Sequence, residues 1–111
     1  MKNIIVINSD KMGSGDDDLG HKLMGAFLKK LWARRESPEL VILYNSGVRL
    51  LSKENGYMDV MHGLDEKGVE IIACGTCIDA YDMRASMTTG RISNMEEIVD
   101  IMMKAKKVIT I

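Results

Sequence analysis

Two cysteines separated by two small residues, Cys74-Gly75-Thr76-Cys77, are the part of this sequence best suited to chemistry. They close a β-branched run, Val69 to Cys74, so Cys74 is expected at the tip of a buried strand, with Gly75-Thr76 turning the chain into a helix that begins near Cys77. A thiol at such a junction meets free N–H groups and the positive end of the helix dipole. Both favour the thiolate and lower the pKa below the ordinary value of about 8.5. The thiolate is the reactive form. The bland alternative is a pair of buried apolar cysteines with a structural role.

Three chemistries compete for the pair. A thioredoxin-type dithiol is suggested by the C-x-x-C spacing. In that fold, however, a cis-proline packs opposite the motif, and the only proline here, Pro38, falls upstream in a turn. Half of a zinc site is a second reading, but no second C-x-x-C exists. His21 and His62 lie on expected helices without shared ligand spacing, so no metal is expected. The third is sulfur carriage: Cys74 takes the terminal sulfur of a donor as Cys–S–SH and passes it on, with Cys77 as resolving or acceptor thiol. That chemistry needs one activated thiol and no organic cofactor.

Other polar groups are expected beside the pair, because ligands of an open parallel sheet sit at the carboxyl ends of its strands. The first strand runs into Asn8-Ser9-Asp10 and the second into Tyr44-Asn45-Ser46-Gly47. Asn8, Ser9, Asn45, Ser46 and Gly47, with Gly75 and Thr76, are therefore the candidate substrate-contacting set, although polar strand ends also occur simply because chains must turn there. The acidic loop Met12-Gly13-Ser14-Gly15-Asp16-Asp17-Asp18 lacks the Gly-Lys-Ser/Thr ending of a phosphate loop, and its carboxylates would repel phosphate. It reads as capping of the helix that follows.

The elements that must hold these residues are legible. Residues 3–8, 40–45, 69–74 and 107–111 are nearly continuous β-branched runs, the mark of strands covered on both faces. Leu19, Leu23, Phe27 and Leu31 recur at helical spacing in a helix expected over 17–35; Met58, Met61 and Leu64 mark a second, and residues 94–105 a last one, with the capping-box spacing of Ser93 and Glu96. Gly68 stops a helix before the third strand. Residues 85–92 read as a loop with a two-residue strand near Ile92. Strands alternating with helices imply a three-layer α/β/α sandwich with a mainly parallel sheet of four or five strands.

The whole chain, 111 residues with 46% apolar and 28% charged, has the composition of a single domain over residues 1–111. A formal net charge of −1 and the lack of a basic stripe exclude a nucleic-acid partner. The apolar runs are far short of a membrane span, and Met1-Lys2-Asn3 leads into a strand rather than a signal-peptide core, so a cytoplasmic protein away from membranes is expected. Two closely spaced cysteines fit a reducing compartment. The ten methionines read mostly as core filler, and open sheet edges make a homo-oligomer plausible.

Taken in order, Ile7-Asn8-Ser9-Asp10-Lys11-Met12-Gly13, Asp16-Asp17-Asp18-Leu19-Gly20, Tyr44-Asn45-Ser46-Gly47-Val48, Cys74-Gly75-Thr76-Cys77 and Ser93-Asn94-Met95 resemble the DsrE/DsrF-like domain of YedF-type, sulfurtransferase-like selenium metabolism proteins. The resemblance covers essentially the whole chain. It implies an α/β/α fold, homo-oligomers and a role in sulfur relay. In sulfur-carrying members the cysteine just after the third strand receives the persulfide, and Cys74 occupies the matching place; Cys77 belongs to the variant of the selenium-linked branch. Asn45-Ser46-Gly47 carries over as a neighbour of that cysteine, and Asn8-Ser9 as a further one. Proteins of this branch usually carry a preceding TusA-like domain with a Cys-Pro-x-Pro motif. The sequence opens at the first strand without that motif, so the resemblance implies either a TusA-like partner or a stand-alone or trimmed module. Three functional classes follow: a sulfur or selenium carrier, a dithiol oxidoreductase, and a non-catalytic assembly or regulatory module.

Overall fold

A computed structural model describes residues 3–111; Met1 and Lys2, read above as leading into the first strand, lie outside the described residues. Five strands form one sheet: β1 (Asn3–Ile7), β2 (Leu40–Leu43), β3 (Glu70–Cys74), β4 (Arg91–Ser93) and β5 (Lys107–Thr110). The order across the sheet is β4-β3-β2-β1-β5. Every pairing is parallel. Four α-helices, α1 (Asp17–Ala33), α2 (Met58–Glu66), α3 (Gly75–Ala80) and α4 (Met95–Lys104), and a 3₁₀ segment over Asn45–Leu51 connect them.

The β-branched runs explain the layers. Alternate residues of the central strands point to opposite faces and both faces are dry, so nearly every position is apolar. Ile5 and Ile7 of β1, Val41 and Leu43 of β2 and Ile71 and Ala73 of β3 pack with Met24, Leu28 and Leu31 of α1, the 3₁₀ segment, α2 and Ile78 of α3. Ile4, Val6, Leu40, Ile42, Ile72 and Cys74 face the other way, under Ile98 and Ile101 of α4. The α/β/α sandwich is therefore lop-sided, with α4 alone on the second face.

Right-handed crossovers account for that division. From β1 to β4 the chain steps steadily in one direction, which keeps its helices on one face; the return from β4 across the sheet to β5 reverses the step and puts α4 on the opposite face.

Several boundaries differ from the sequence expectation, each for a local reason. β2 stops at Leu43, because Asn45 takes a left-handed backbone (φ 50°) and begins the 3₁₀ segment. β1 likewise ends at Ile7, before Asn8. The last helix is capped by Asn94, not Ser93: the Asn94 side chain accepts from the Glu97 N–H at 2.9 Å, shifting the capping spacing by one residue. α1 ends at Ala33, where the Lys67 ammonium donates to the carbonyls of Trp32 and Arg34. The strand expected near Ile92 is present with three residues. The loop before it is tied down by an antiparallel bridge between Ser52 and Met87 and by His62 Nε2, 3.2 Å from the Thr88 carbonyl. His62 is thus half-buried and hydrogen-bonded. The acidic loop caps α1, with Asp16 accepting from the Leu19 N–H at 2.9 Å and Asp17 and Asp18 in the first turn. No helix is long and apolar enough to cross a membrane among the described residues.

Candidate thiol site at the switch point of the sheet

The chain leaves β3 toward one face and β4 toward the other. Ligand crevices in open parallel sheets open where neighbouring strands part in this way, outside their carboxyl ends. Here Cys74, the last residue of β3, lies in register with Ser93, the last residue of β4. The topology thus puts the C-x-x-C at the one place on this sheet where adjacent strand ends diverge.

Cys74 is itself the cap of α3, whose first helical residue is Gly75, two residues earlier than the sequence spacing implied. Glycine permits that early start: a Cβ at position 75 would lie 3.1 Å from Ile92 Cγ2 and 3.2 Å from the Ser93 carbonyl oxygen. With the helix beginning there, Cys74 Sγ sits among N–H groups that have no carbonyl partner within the helix. Burial pushes the Cys74 thiol up. The N–H of Cys77, the Cys77 thiol, and the N–H and hydroxyl of Thr76 oppose burial, and the net is down. Cys77 moves the other way. Burial raises it, the N–H of Asn45 pulls it down, and the hydrogen bond to Cys74 together with the Cys74 charge carries it up. The pair therefore holds its first negative charge on Cys74, with Cys77 keeping its proton and donating it toward Cys74.

Exposure divides the thiols differently. Cys74 is 4% exposed. Cys77 is half-buried and packs against the apolar clusters on both faces of the sheet. The sulfur pushed toward the thiolate lies inside, and the sulfur nearer solvent is the one pushed toward the thiol.

The second loop joins the site through its backbone. The Asn45 N–H donates to Cys77 Sγ at 3.1 Å. Its side-chain oxygen accepts from the Tyr81 hydroxyl at 3.1 Å, and the Tyr81 ring lies 5.8 Å from the Arg49 guanidinium carbon. Arg49 in turn pairs with the Asp10 carboxylate at 3.4 Å. Gly47 makes this approach feasible, since a Cβ there would fall 2.2 Å from the Ile7 carbonyl oxygen.

Of the residues singled out in the sequence, Cys74, Cys77, Gly75, Thr76 and Asn45 come together. Ser46 turns away, its hydroxyl accepting from the Asp10 N–H at 3.3 Å, and Gly47 serves as backing. Asn8 and Ser9 do not reach the thiols. They line a separate groove with Lys11, Gly13 and Thr110, and the Ser9 hydroxyl is engaged by the Lys11 N–H at 3.1 Å. Tyr81 and Arg49 escaped the sequence reading. Tyr81 had a usable signal, standing four residues after Cys77 and so one helical turn along the same face; Arg49 had none.

An open, doubly wound parallel sheet with a pair of cysteines at its switch point defines the class: a small α/β protein. The chain belongs to the DsrE/DsrF-like family, which matches it over residues 1–111. Among solved structures it is similar to the ychN protein from E. coli, at 19% identity and a TM-score of 0.67, covering 99% of this chain and 98% of that one. It is also similar to the protein of unknown function MTH1491 from Methanobacterium thermoautotrophicum, at 19% identity and TM-score 0.67, covering 96% of this chain and 97% of that one. The conserved protein of unknown function BT1422 from Bacteroides thetaiotaomicron shares 13% identity at TM-score 0.69, over 98% of this chain and 94% of that one. At these identities the likeness speaks to the fold alone. No curated protein matches the sequence.

Proposed function

We propose that this protein is a sulfur carrier in which Cys74 holds the cargo as a persulfide and Cys77 is the resolving or acceptor thiol. Family membership suggests a sulfur-relay-like role. The observation that carries the reading is the division of labour within the pair: Cys74 is held toward the thiolate by donors from Thr76 and Cys77, while Cys77 is held toward the thiol. Thiolate attack on the outer sulfur of R–S–SH forms a Cys74 S–S bond, breaks the donor S–S bond and releases RS⁻, with Cys74–S–SH as product. The N–H groups that stabilise the thiolate are placed to stabilise an anionic persulfide as well.

Cys77 then has two courses. Attack on the outer sulfur moves the cargo to the more exposed position and regenerates the Cys74 thiolate. Attack on the inner sulfur gives a Cys74–Cys77 disulfide and releases HS⁻. The low exposure of Cys74 favours the first course for delivery to a bulky acceptor such as a TusA-like protein, because the half-buried Cys77 is the thiol a partner reaches.

The closer kinship with the selenium-linked YedF-type branch, and selenium as cargo, rest on the order of the motifs. Self-association is part of the same proposal. Met95, Val99 and Met103 recur at four-residue spacing on the outer side of α4 at 52%, 51% and 81% exposure, an apolar stripe that a second copy would cover.

Intact-mass analysis after exposure to persulfide donors tests the carrier. One added sulfur is expected on the parent protein, none on Cys74→Ser, and a longer-lived adduct on Cys77→Ser. A reduced protein that takes up no sulfur from any donor would leave the structural-cysteine reading standing. A stable internal disulfide that reduces added protein disulfides would favour the dithiol oxidoreductase.

A further inference from the structure

On the α1 side of the sheet, a cavity of about 270 Å³ that neither cysteine lines is bounded by Asp10, His21, Arg49, Asn55 and Tyr57. Its small polar groups are mostly engaged. The Tyr57 hydroxyl donates to the His21 carbonyl at 3.2 Å, and the Asn55 amide donates to the Arg49 carbonyl at 2.7 Å.

The two charges pair with each other through one long contact of 3.4 Å. The Asp10 side chain is 8% exposed, so more than nine-tenths of it is out of water. A carboxylate so placed ordinarily gathers several hydrogen bonds to offset lost hydration. Among the described residues its one ion-pair partner is Arg49, through a single 3.4 Å contact; its charge also reaches the Tyr57 phenol, and no hydrogen bond reaches either oxygen. Among the described residues no buried side-chain oxygen or nitrogen is sealed without a partner, so the Asp10 oxygens retain their opening through the cavity they line. Arg49 differs in exposure, its side chain being half open to solvent at the mouth of the cavity. Among the described residues its guanidinium makes no hydrogen bond; the long contact to Asp10 and the Tyr81 ring are its partners there. A guanidinium presents five donors in a fixed fork suited to a carboxylate, and a buried carboxylate presents acceptors suited to an ammonium.

We infer that this cavity binds a small zwitterion of the α-amino acid class, its carboxylate on the Arg49 guanidinium and its ammonium on the Asp10 carboxylate. Opposite charges a few ångströms apart on one wall match the spacing of the two charges on an α-carbon, and the volume accommodates a small amino acid with a modest side chain. A simple anion would satisfy Arg49 but meet Asp10 with like charge, and a simple cation would do the reverse. Only a ligand bearing both signs uses both groups. The site is independent of sulfur carriage, although Arg49 contacts the ring of Tyr81, which holds Asn45 against Cys77.

The standard protein amino acids, each added at millimolar concentration to the intact protein, test the inference by amide chemical-shift perturbation and calorimetry. At least one is expected to bind and to shift the amides of Arg49, Asn55 and Tyr57. Its deaminated and its carboxamide analogues should each bind at least about tenfold more weakly, since each lacks one charge-assisted contact. Asp10→Asn and Arg49→Gln should show the same loss in a folded protein. Because the analogue comparison uses unaltered protein, it decides the matter even where a substitution fails to fold. The inference is overturned if no amino acid perturbs these amides, or if the deaminated analogue binds as well as its parent, which would mark a plain anion site.

Discussion

The backbone N–H of Asn45 points at the sulfur of Cys77 from 3.1 Å, across 32 residues of sequence. Asn45 can present that N–H because it accepts a left-handed backbone, φ 50°, a conformation asparagine tolerates better than most residues. Its side chain is held by Tyr81 from the far end of α3, so the helix carrying Cys77 also fixes the group that contacts it.

Loss of the Tyr81 hydroxyl should therefore be felt at Cys77. In Tyr81→Phe the ring and its contact with Arg49 remain, while Asn45 loses its anchor. A neutral hydrogen bond contributes about 1 kcal/mol, so the Cys77 thiolate fraction should fall by up to roughly fivefold. Site-resolved alkylation against pH, read by peptide mass, should show the Cys77 profile moving up in pH with Cys74 nearly unchanged.

Cys74 and Cys77 titrate as a pair, and removing one member should move the other. Cys74 raises Cys77, so Cys74→Ser should bring the Cys77 thiol down toward its ordinary value and speed its alkylation near neutral pH by up to about tenfold. Cys77→Ala, which deletes a donor to Cys74, should move Cys74 up while the Thr76 and Cys77 N–H groups keep part of the effect. Unchanged alkylation profiles in both variants would contradict the shared proton.

Gly47→Ala should destabilise the fold by about 2–3 kcal/mol in chemical denaturation, because its Cβ would overlap the Ile7 carbonyl oxygen at 2.2 Å and backbone cannot yield cheaply. The displaced 3₁₀ segment should also withdraw Asn45 from Cys77, so the surviving folded protein should alkylate Cys77 more slowly at fixed pH.

Glu97 sets an acid-side dependence near the last helix. Hydrogen bonds from Arg91, and then from Ser93, hold its carboxyl down at about 2. A depressed carboxyl pKa contributes stability that is present above its unfolded value of about 4.3 and is lost as pH falls through the folded value. Parent and Glu97→Gln should therefore differ in denaturant midpoint at neutral pH and converge between about pH 4.3 and 2. A gap that stays constant across that window would show that Glu97 acts through packing rather than charge.

Much of the architecture was legible along the chain because its signals are local. Unbroken runs such as Ile4–Ile7 and Leu40–Leu43 mark strands with two dry faces, helical spacing marks α1, and the aspartates before α1 cap it. The same local logic placed Cys74 at a strand end against helix N–H groups. The start of α3 at Gly75 and the shift of the last cap to Asn94 were decided by contacts that spacing does not encode: Gly75 against Ile92 and Ser93, and the Asn94 side chain on Glu97. The sequence by itself thus determined the fold class, its elements and the thiol pair. Only the tertiary structure decided that the chain reverses direction after β4, so that Cys74 and Ser93 flank a switch point, that the thiol with the lowered pKa is the inner one, and that Asp10, Arg49, Tyr81 and Asn45 form one connected wall. The physical reason is range: strand order and side-chain convergence follow from crossover handedness and packing between residues dozens of positions apart, and periodicity carries no record of either.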